Sequence, residues 1–347
     1  MRTPAAEPNP FLHRFAWLLV GATLLLICSG GMVTSKGVGL AVPDWPTTFG
    51  YNMFFFPVSK WVGGIFFEHT HRLIASVVGF LTIILAVWLW RAKVARWIKT
   101  LGWVSLGAVV LQGVLGGLRV TLLKDEIGIF HACLAQAFFG MLVIIALATS
   151  RLWPRLARAG ALPPRSLALF AIVITGIIYG QLGLGAAMRH QHRDLAIMDF
   201  PLAYGQIIPA TDPATIARIN QARNRQAWSD VSAGQIWLQM AHRFGAAVIG
   251  LTIAWFWVLV RREKPDTPAL RTLANLWLGL VIAQIALGAW TIWSNKAADI
   301  ATAHVAVGAV TFAVGILISA VLLRLRHRSE AAESARLTTE LEAVGAR

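Results

Sequence analysis

Charge is scarce in this sequence. Only 14% of its 347 residues are charged and 57% are hydrophobic, whereas an ordinary soluble domain is roughly a quarter charged. That balance points to lipid as the solvent. Cysteine is scarcer still. Cys28 and Cys133 both fall inside apolar runs, so the external segments have no disulfide framework. The two thiols read as small packing residues. No segment shows the alternating pattern of a membrane barrel. Met1–Arg14 has no Arg-rich, Ser-rich transit composition, which predicts a short cytoplasmic lead-in and a bacterial protein.

What the sequence does have is apolar runs. Ala16–Ser29, Ile74–Trp90, Leu101–Leu118, Ala132–Ala148, Ser166–Met188, Phe244–Val260, Leu273–Trp293 and Val305–Leu323 are each nearly free of charge. With a few flanking residues, each reaches the roughly 20 needed to cross about 30 Å of hydrocarbon as a helix. The formal net charge of +15 is concentrated in alternate loops. Arg91, Lys93, Arg96 and Lys99 fill one; Arg151, Arg155, Arg158 and Arg165 the next but one. Arg261, Arg262, Lys264 and Arg271 fill a third, and Arg324, Arg326 and Arg328 follow the last run. This is the positive-inside pattern with both termini cytoplasmic, and it argues against nucleic acid as the partner.

The chain also repeats itself. Span two carries Glu68-His69-Thr70-His71-Arg72 and span six Gln239-Met240-Ala241-His242-Arg243, each followed by a small-residue stretch. Span four opens at His131 and span eight at His304. Spans three and seven share Gln112 with Leu115-Gly116 and Gln284 with Leu287-Gly288. Gly30 and Asp44-Trp45-Pro46 correspond to Gly185 and Asp199-Phe200-Pro201 at an offset of 155. The expected fold is therefore an all-α membrane protein of eight transmembrane helices, built as two pseudo-symmetric four-helix bundles in a parallel repeat. Residues 1–160 and 161–347 form the halves. A long external loop, 189–234, covers the outer face, with a short interfacial helix expected near Thr215–Arg225.

Four of the nine histidines occupy equivalent positions: His71, His131, His242 and His304. With cytoplasmic termini, all four sit near the outer ends of even-numbered spans. In each half two imidazoles at one depth leave a slot for a planar macrocycle, so haem iron is the expected metal. A single interfacial histidine more often just bonds a carbonyl; four in duplicate do not fit that reading. Zinc lacks a completing ligand in either half. His13, His190, His192 and His327 have no constellation, and His69, opposite Met240, is not part of the repeated pair and reads as a surface residue or a support behind it. Arg72 and Arg243 are candidates for the haem propionates, with snorkelling to headgroups as the alternative.

One substitution breaks the equivalence, for Glu68 becomes Gln239. Glu68 lies three residues before His71 and shares its helix face. A carboxylate beside a haem can accept or relay a proton during oxidation of a ring substituent. The alternative is an interfacial residue paired with Arg72 or Lys60. The asymmetry assigns the altered haem to His71, His131 and Glu68, and an electron-carrying haem to His242 and His304.

These residues resemble the haem A synthase family over about residues 15–325: Glu-x-x-His-Arg at Glu68–Arg72, His242-Arg243, and the histidines of spans four and eight, in that order. The resemblance implies oxidation of the haem O methyl to formyl, through hydroxylated intermediates and with oxygen from water, giving haem A for cytochrome oxidase. It implies Glu68 as catalytic acid/base, His71 and His131 flanking substrate, and His242 and His304 as the bis-histidine ligands of a haem b. The implied partners are haem O, with hand-over from haem O synthase as one route, and a membrane electron acceptor such as a quinone. Gly-rich spans leave homo-oligomerisation open. Many bacterial members carry a cysteine pair in the first external loop; Lys36–Trp61 has none, so no thiol-dependent step is expected. Two other functions stay open: a di-haem, quinone-linked electron carrier without haem conversion, and a transporter releasing haem unchanged.

Overall fold

The apolar runs become helices because a chain in hydrocarbon must satisfy its own backbone polar groups. The computed structural model describes residues 9–156, 164–191, 195–263 and 268–345. Arg158, His192, Lys264 and the boundary drawn at residue 160 lie outside them, as do the side chains of His327 and Arg328. Its helices are α1 (Pro10–Ser35), α2 (Gly63–Arg91), α3 (Arg96–Leu122), α4 (Asp125–Ala148), α5 (Leu152–Leu156), α6 (Arg165–Gln191), α7 (Pro213–Asn224), α8 (Ala233–Glu263), α9 (Pro268–Trp293) and α10 (Ala298–Gly345). Among the described residues, eight of these are long and apolar enough to cross a membrane: all but α5 and α7. The chain is a multi-pass membrane protein.

Local chemistry sets several ends. Asn9 caps α1, its side chain accepting from the Phe11 and Leu12 amides ahead of which Pro10 has no N–H to lose. Asp212 caps α7 in the same way, with Pro213 at the first position. The α7 helix answers the expectation of a short helix near 215–225. Buried hydroxyls within the spans turn back on their own helices: Thr23 bonds the Leu19 carbonyl, Thr82 that of Val78 and Thr175 that of Ala171.

Several helices outrun their apolar stretches. The α2 helix starts at Gly63, well before Glu68, and α8 starts at Ala233, before Gln239. Hydropathy marks where the hydrocarbon lies, whereas backbone hydrogen bonding continues through polar residues at the interface. His71, His131, His242 and His304 therefore sit about two turns inside their helices rather than at the opening residue.

The α1, α2, α3 and α4 helices pack in sequence, with α4 closing on α1. The α6, α8, α9 and α10 helices do the same, with α10 closing on α6. Contacts of α1 with α10, α4 with α6 and α4 with α10 join the two groups. Each group has its own apolar core, one around Leu19, Leu85, Phe139 and Leu142, the other around Ile174, Phe256, Trp277 and Ile318. Trp277 is fully buried and donates from Nε1 to the Thr311 carbonyl at 2.9 Å, tying α9 to α10. Trp277→Ala is expected to destabilise the folded state by about 2 to 4 kcal/mol, mostly through the cavity left behind. A denaturant midpoint in detergent checks it; an unchanged midpoint contradicts it.

Candidate functional site

Each of the four histidines is backed by a glycine on the preceding span. A methyl group built on Gly30 of α1 would stand 3.0 Å from Cε1 of His71; on Gly116 of α3, 3.4 Å from that of His131. On Gly185 of α6 it would stand 3.3 Å from Cε1 of His242, and on Gly288 of α9, 3.1 Å from that of His304. The same ring edge meets the same residue type four times. A methyl group would already crowd the ring at Gly30, Gly185 and Gly288 and just touch it at Gly116, and a branched side chain would press on it further.

All four Nδ1 atoms are buried and have no hydrogen-bond partner, and orphaned buried polar atoms are rare enough to need a reason. His242 and His304 face each other with ring centroids 6.3 Å apart. A metal–imidazole bond is about 2 Å, so two rings on opposite sides of one metal have centroids roughly 6 Å apart. The pair fits axial ligation of a haem iron. Glutamines hold the backbones: Gln112 Nε2 donates to the His131 carbonyl at 3.0 Å and Gln181 Nε2 to that of His242 at 2.6 Å. Gln284 Nε2 lies 3.4 Å from His304 Nε2. Gln112, Gln181 and Gln284 each precede their backing glycine by four residues, whereas α1 has Leu26 there.

Glu68 is 3% exposed, and each of its oxygens takes one hydrogen bond. It accepts from the Val42 amide at 3.0 Å and pairs with Arg72 at 2.7 Å. Arg72 also donates to the carbonyls of Asp44, Thr47 and Val42, so its guanidinium clamps the first external loop. Lys60, the other candidate partner, bonds Tyr51 instead. The second loop is clamped by the same positions. Gln239 accepts from the Ile197 amide and donates to the Ile197 carbonyl, at 2.9 and 3.0 Å. Arg243 donates to the carbonyls of Asp199 and Leu202. Both loops carry a cis X–Pro bond, at Trp45-Pro46 and Phe200-Pro201, and a left-handed pair, Phe49-Gly50 and Tyr204-Gly205.

This arrangement has relatives. A family model described as cytochrome oxidase assembly protein matches residues 13–316. The chain belongs to that family. Among curated proteins it is 26% identical to the heme A synthase of Shouchella clausii, covering 92% of this chain and 99% of the relative. It is 26% identical to that of Geobacillus kaustophilus, covering 91% and 92%. With that of Sphingopyxis alaskensis it shares 27%, covering 95% and 96%.

Other parts of this family member's site were hidden from the sequence. His69 is not a surface residue. It is 0% exposed, near Thr48 Oγ1 at 3.2 Å and packed between Phe56 and Trp61, where it seats the first loop. Gln181 could have been found by its spacing to Gly185. Arg119 and His190 come together from α3 and α6 against Gly128 of α4, a convergence that no local pattern announces.

Asp44 organises the first loop. Its carboxylate accepts from the Phe49 and Gly50 amides and from Thr47 Oγ1. Burial alone would raise its pKa, but these hydrogen bonds outweigh it and hold the group below the usual carboxylate value. The ionised form thus favours the folded loop at neutral pH, and that support is lost as pH falls through the lowered pKa. Limited proteolysis is expected to cut the loop between residues 44 and 60 faster in Asp44→Asn than in wild type at pH 7. The difference should vanish once wild type is also protonated. Equal cleavage at pH 7 would contradict the role.

Proposed function

We propose that the chain is a haem A synthase: it oxidises a ring methyl of haem O to the formyl group of haem A, in the assembly of cytochrome oxidase. One observation carries the reading. Two glycine-backed histidine pairs lie in one molecule, and only the first has a buried carboxylate on the same helix face, Glu68, where the second has Gln239.

In this reading the halves, 1–160 and 161–347, arose by parallel duplication and both termini face the cytoplasm. The matched loop clamps and the basic alternate loops support it. His71 and His131 flank the substrate haem. Converting methyl to formyl consumes one water and releases four electrons and four protons, in two stages divided by the hydroxymethyl compound. Glu68 accepts protons from the attacking water or the hydroxylated carbon. Its oxygens each take one hydrogen bond in the structure and keep lone pairs for more. Arg72 holds the carboxylate in place and keeps the loop over the site. His242 and His304 hold a haem b, which when bound supplies one-electron transfer towards a membrane acceptor such as a quinone.

A second reading has one observation in its favour: Glu68 clamps its loop much as Gln239 does, which suits a di-haem electron carrier needing no acid. Haem composition separates the two. The protein is expressed with haem O available, and the haems are extracted and resolved by chromatography and mass. Haem A or its hydroxylated precursor is expected. Unmodified haem alone, together with a reducible bis-histidine spectrum, would leave the carrier standing.

A further inference from the structure

Arg72, the obvious guanidinium for a haem propionate, is already engaged by three loop carbonyls and Glu68. Another cation near the first site has no direct bond from its side chain. Arg119 lies three residues after Gly116, the glycine behind His131, on the same face of α3. Its side chain has no hydrogen bond or ion pair among the described residues, where Arg72–Glu68 is the one salt bridge. Glu68 and Asp125 act on it through space but neither bonds it, and a cation inside a membrane-spanning helix gains from a direct anionic partner. His71 and His131 both lie within its electrostatic reach.

A second donor meets it. A methyl group built on Gly128 would stand 2.5 Å from His190 Nδ1 and 3.0 Å from Arg119 Nε, so the two side chains pack side by side against one glycine. Gly39 of the first loop packs against the guanidinium itself, since a methyl group built there would stand 2.6 Å from Nη1. His190 Nδ1 is buried and has no partner. The equivalent position in α9 is Thr291, whose hydroxyl bonds the Leu287 carbonyl of its own helix. A cation at this position is therefore found only in the first half, while the cation near His304, Arg189, is bonded to the Gly31 carbonyl and Ser35 Oγ.

We infer that Arg119 and His190 form the anchor for a propionate carboxylate of the haem held by His71 and His131, an inference that rests on the proposed function. A planar guanidinium beside an imidazole N–H suits two carboxylate oxygens. An anionic lipid headgroup offers similar oxygens, and the test separates the two.

Iron protoporphyrin and its dimethyl ester, which lacks the carboxylates, are titrated into the purified full chain in detergent and followed by the Soret band. Wild type is expected to bind the acid more tightly than the ester. Arg119→Gln should weaken the acid about ten- to a hundredfold and leave the ester unchanged, and Arg119→Lys should recover most of the loss. The low-spin spectrum of the second site reports folding in each variant. Should Arg119→Gln fail to fold, wild type decides alone, and equal binding of acid and ester overturns the anchor. Equal acid affinity in wild type and Arg119→Gln also overturns it, and co-purified phosphatidylglycerol falling in that variant would then assign the site to lipid. His71→Ala distinguishes the deeper failure. If it loses haem while Arg119→Gln does not, only the anchor falls. If it binds haem as wild type does, the proposed function falls too.

Discussion

Glu68→Gln is expected to reduce haem conversion by about a hundredfold or more, the scale of a lost general base, while haem binding and the fold persist. The molecule contains the control for this substitution. Gln239 holds the second loop with the contacts an amide can make, accepting one N–H and donating to one carbonyl of Ile197. An amide at position 68 can likewise accept from the Val42 amide, and its NH2 can turn to the Val42 carbonyl. What it cannot do is accept a proton at neutral pH or balance the charge of Arg72. Turnover measured as haem product per protein, beside Soret titration of haem and a thermal midpoint, separates the outcomes. Lost product with retained haem affinity supports proton transfer. Retained product would sink the catalytic role. Loss of haem affinity and midpoint together would show Glu68 to be a loop clamp first.

Gly288→Val is expected to abolish low-spin haem in the second site. The first carbon added already falls 3.1 Å from His304 Cε1, and the two branching methyl groups require the ring to move further. A metal–nitrogen bond of about 2 Å does not stretch to follow a ring displaced by roughly 1 Å. Gly279 gives the comparison on the same helix, since nothing stands within 4 Å of a methyl group built there. Gly279→Val should keep the low-spin spectrum that Gly288→Val loses. Equal spectra would mean that the glycine does not position the imidazole.

The spans were legible because a lipid-crossing helix is a local property: length, hydropathy and absence of charge suffice. The four histidines were legible for a different reason. Repetition at matching positions separated them from His13 and His190, which share their chemistry but not their pattern. The ends of α2 and α8 were not legible, since polar residues at an interface carry helix as readily as loop. Nor was the work of Arg72. Adjacency to His71 suggested propionates, but the loop carbonyls that engage it come from residues 42 to 47, folded back by turns that hydropathy does not describe. Arg119 and His190 are 71 positions apart and meet only because α3 and α6 both border α4. Such meetings depend on packing, not on spacing.

The central claim is a division of labour: the first half converts haem and the second only carries electrons. An optical redox titration of purified His71→Ala and His304→Ala, with the extracted haems resolved by mass, tests it most directly. The account predicts that His71→Ala keeps a reducible low-spin haem but makes no haem A, and that His304→Ala loses that low-spin haem. A His71→Ala protein that still makes haem A, or that loses the low-spin signal while His304→Ala keeps it, would contradict the account.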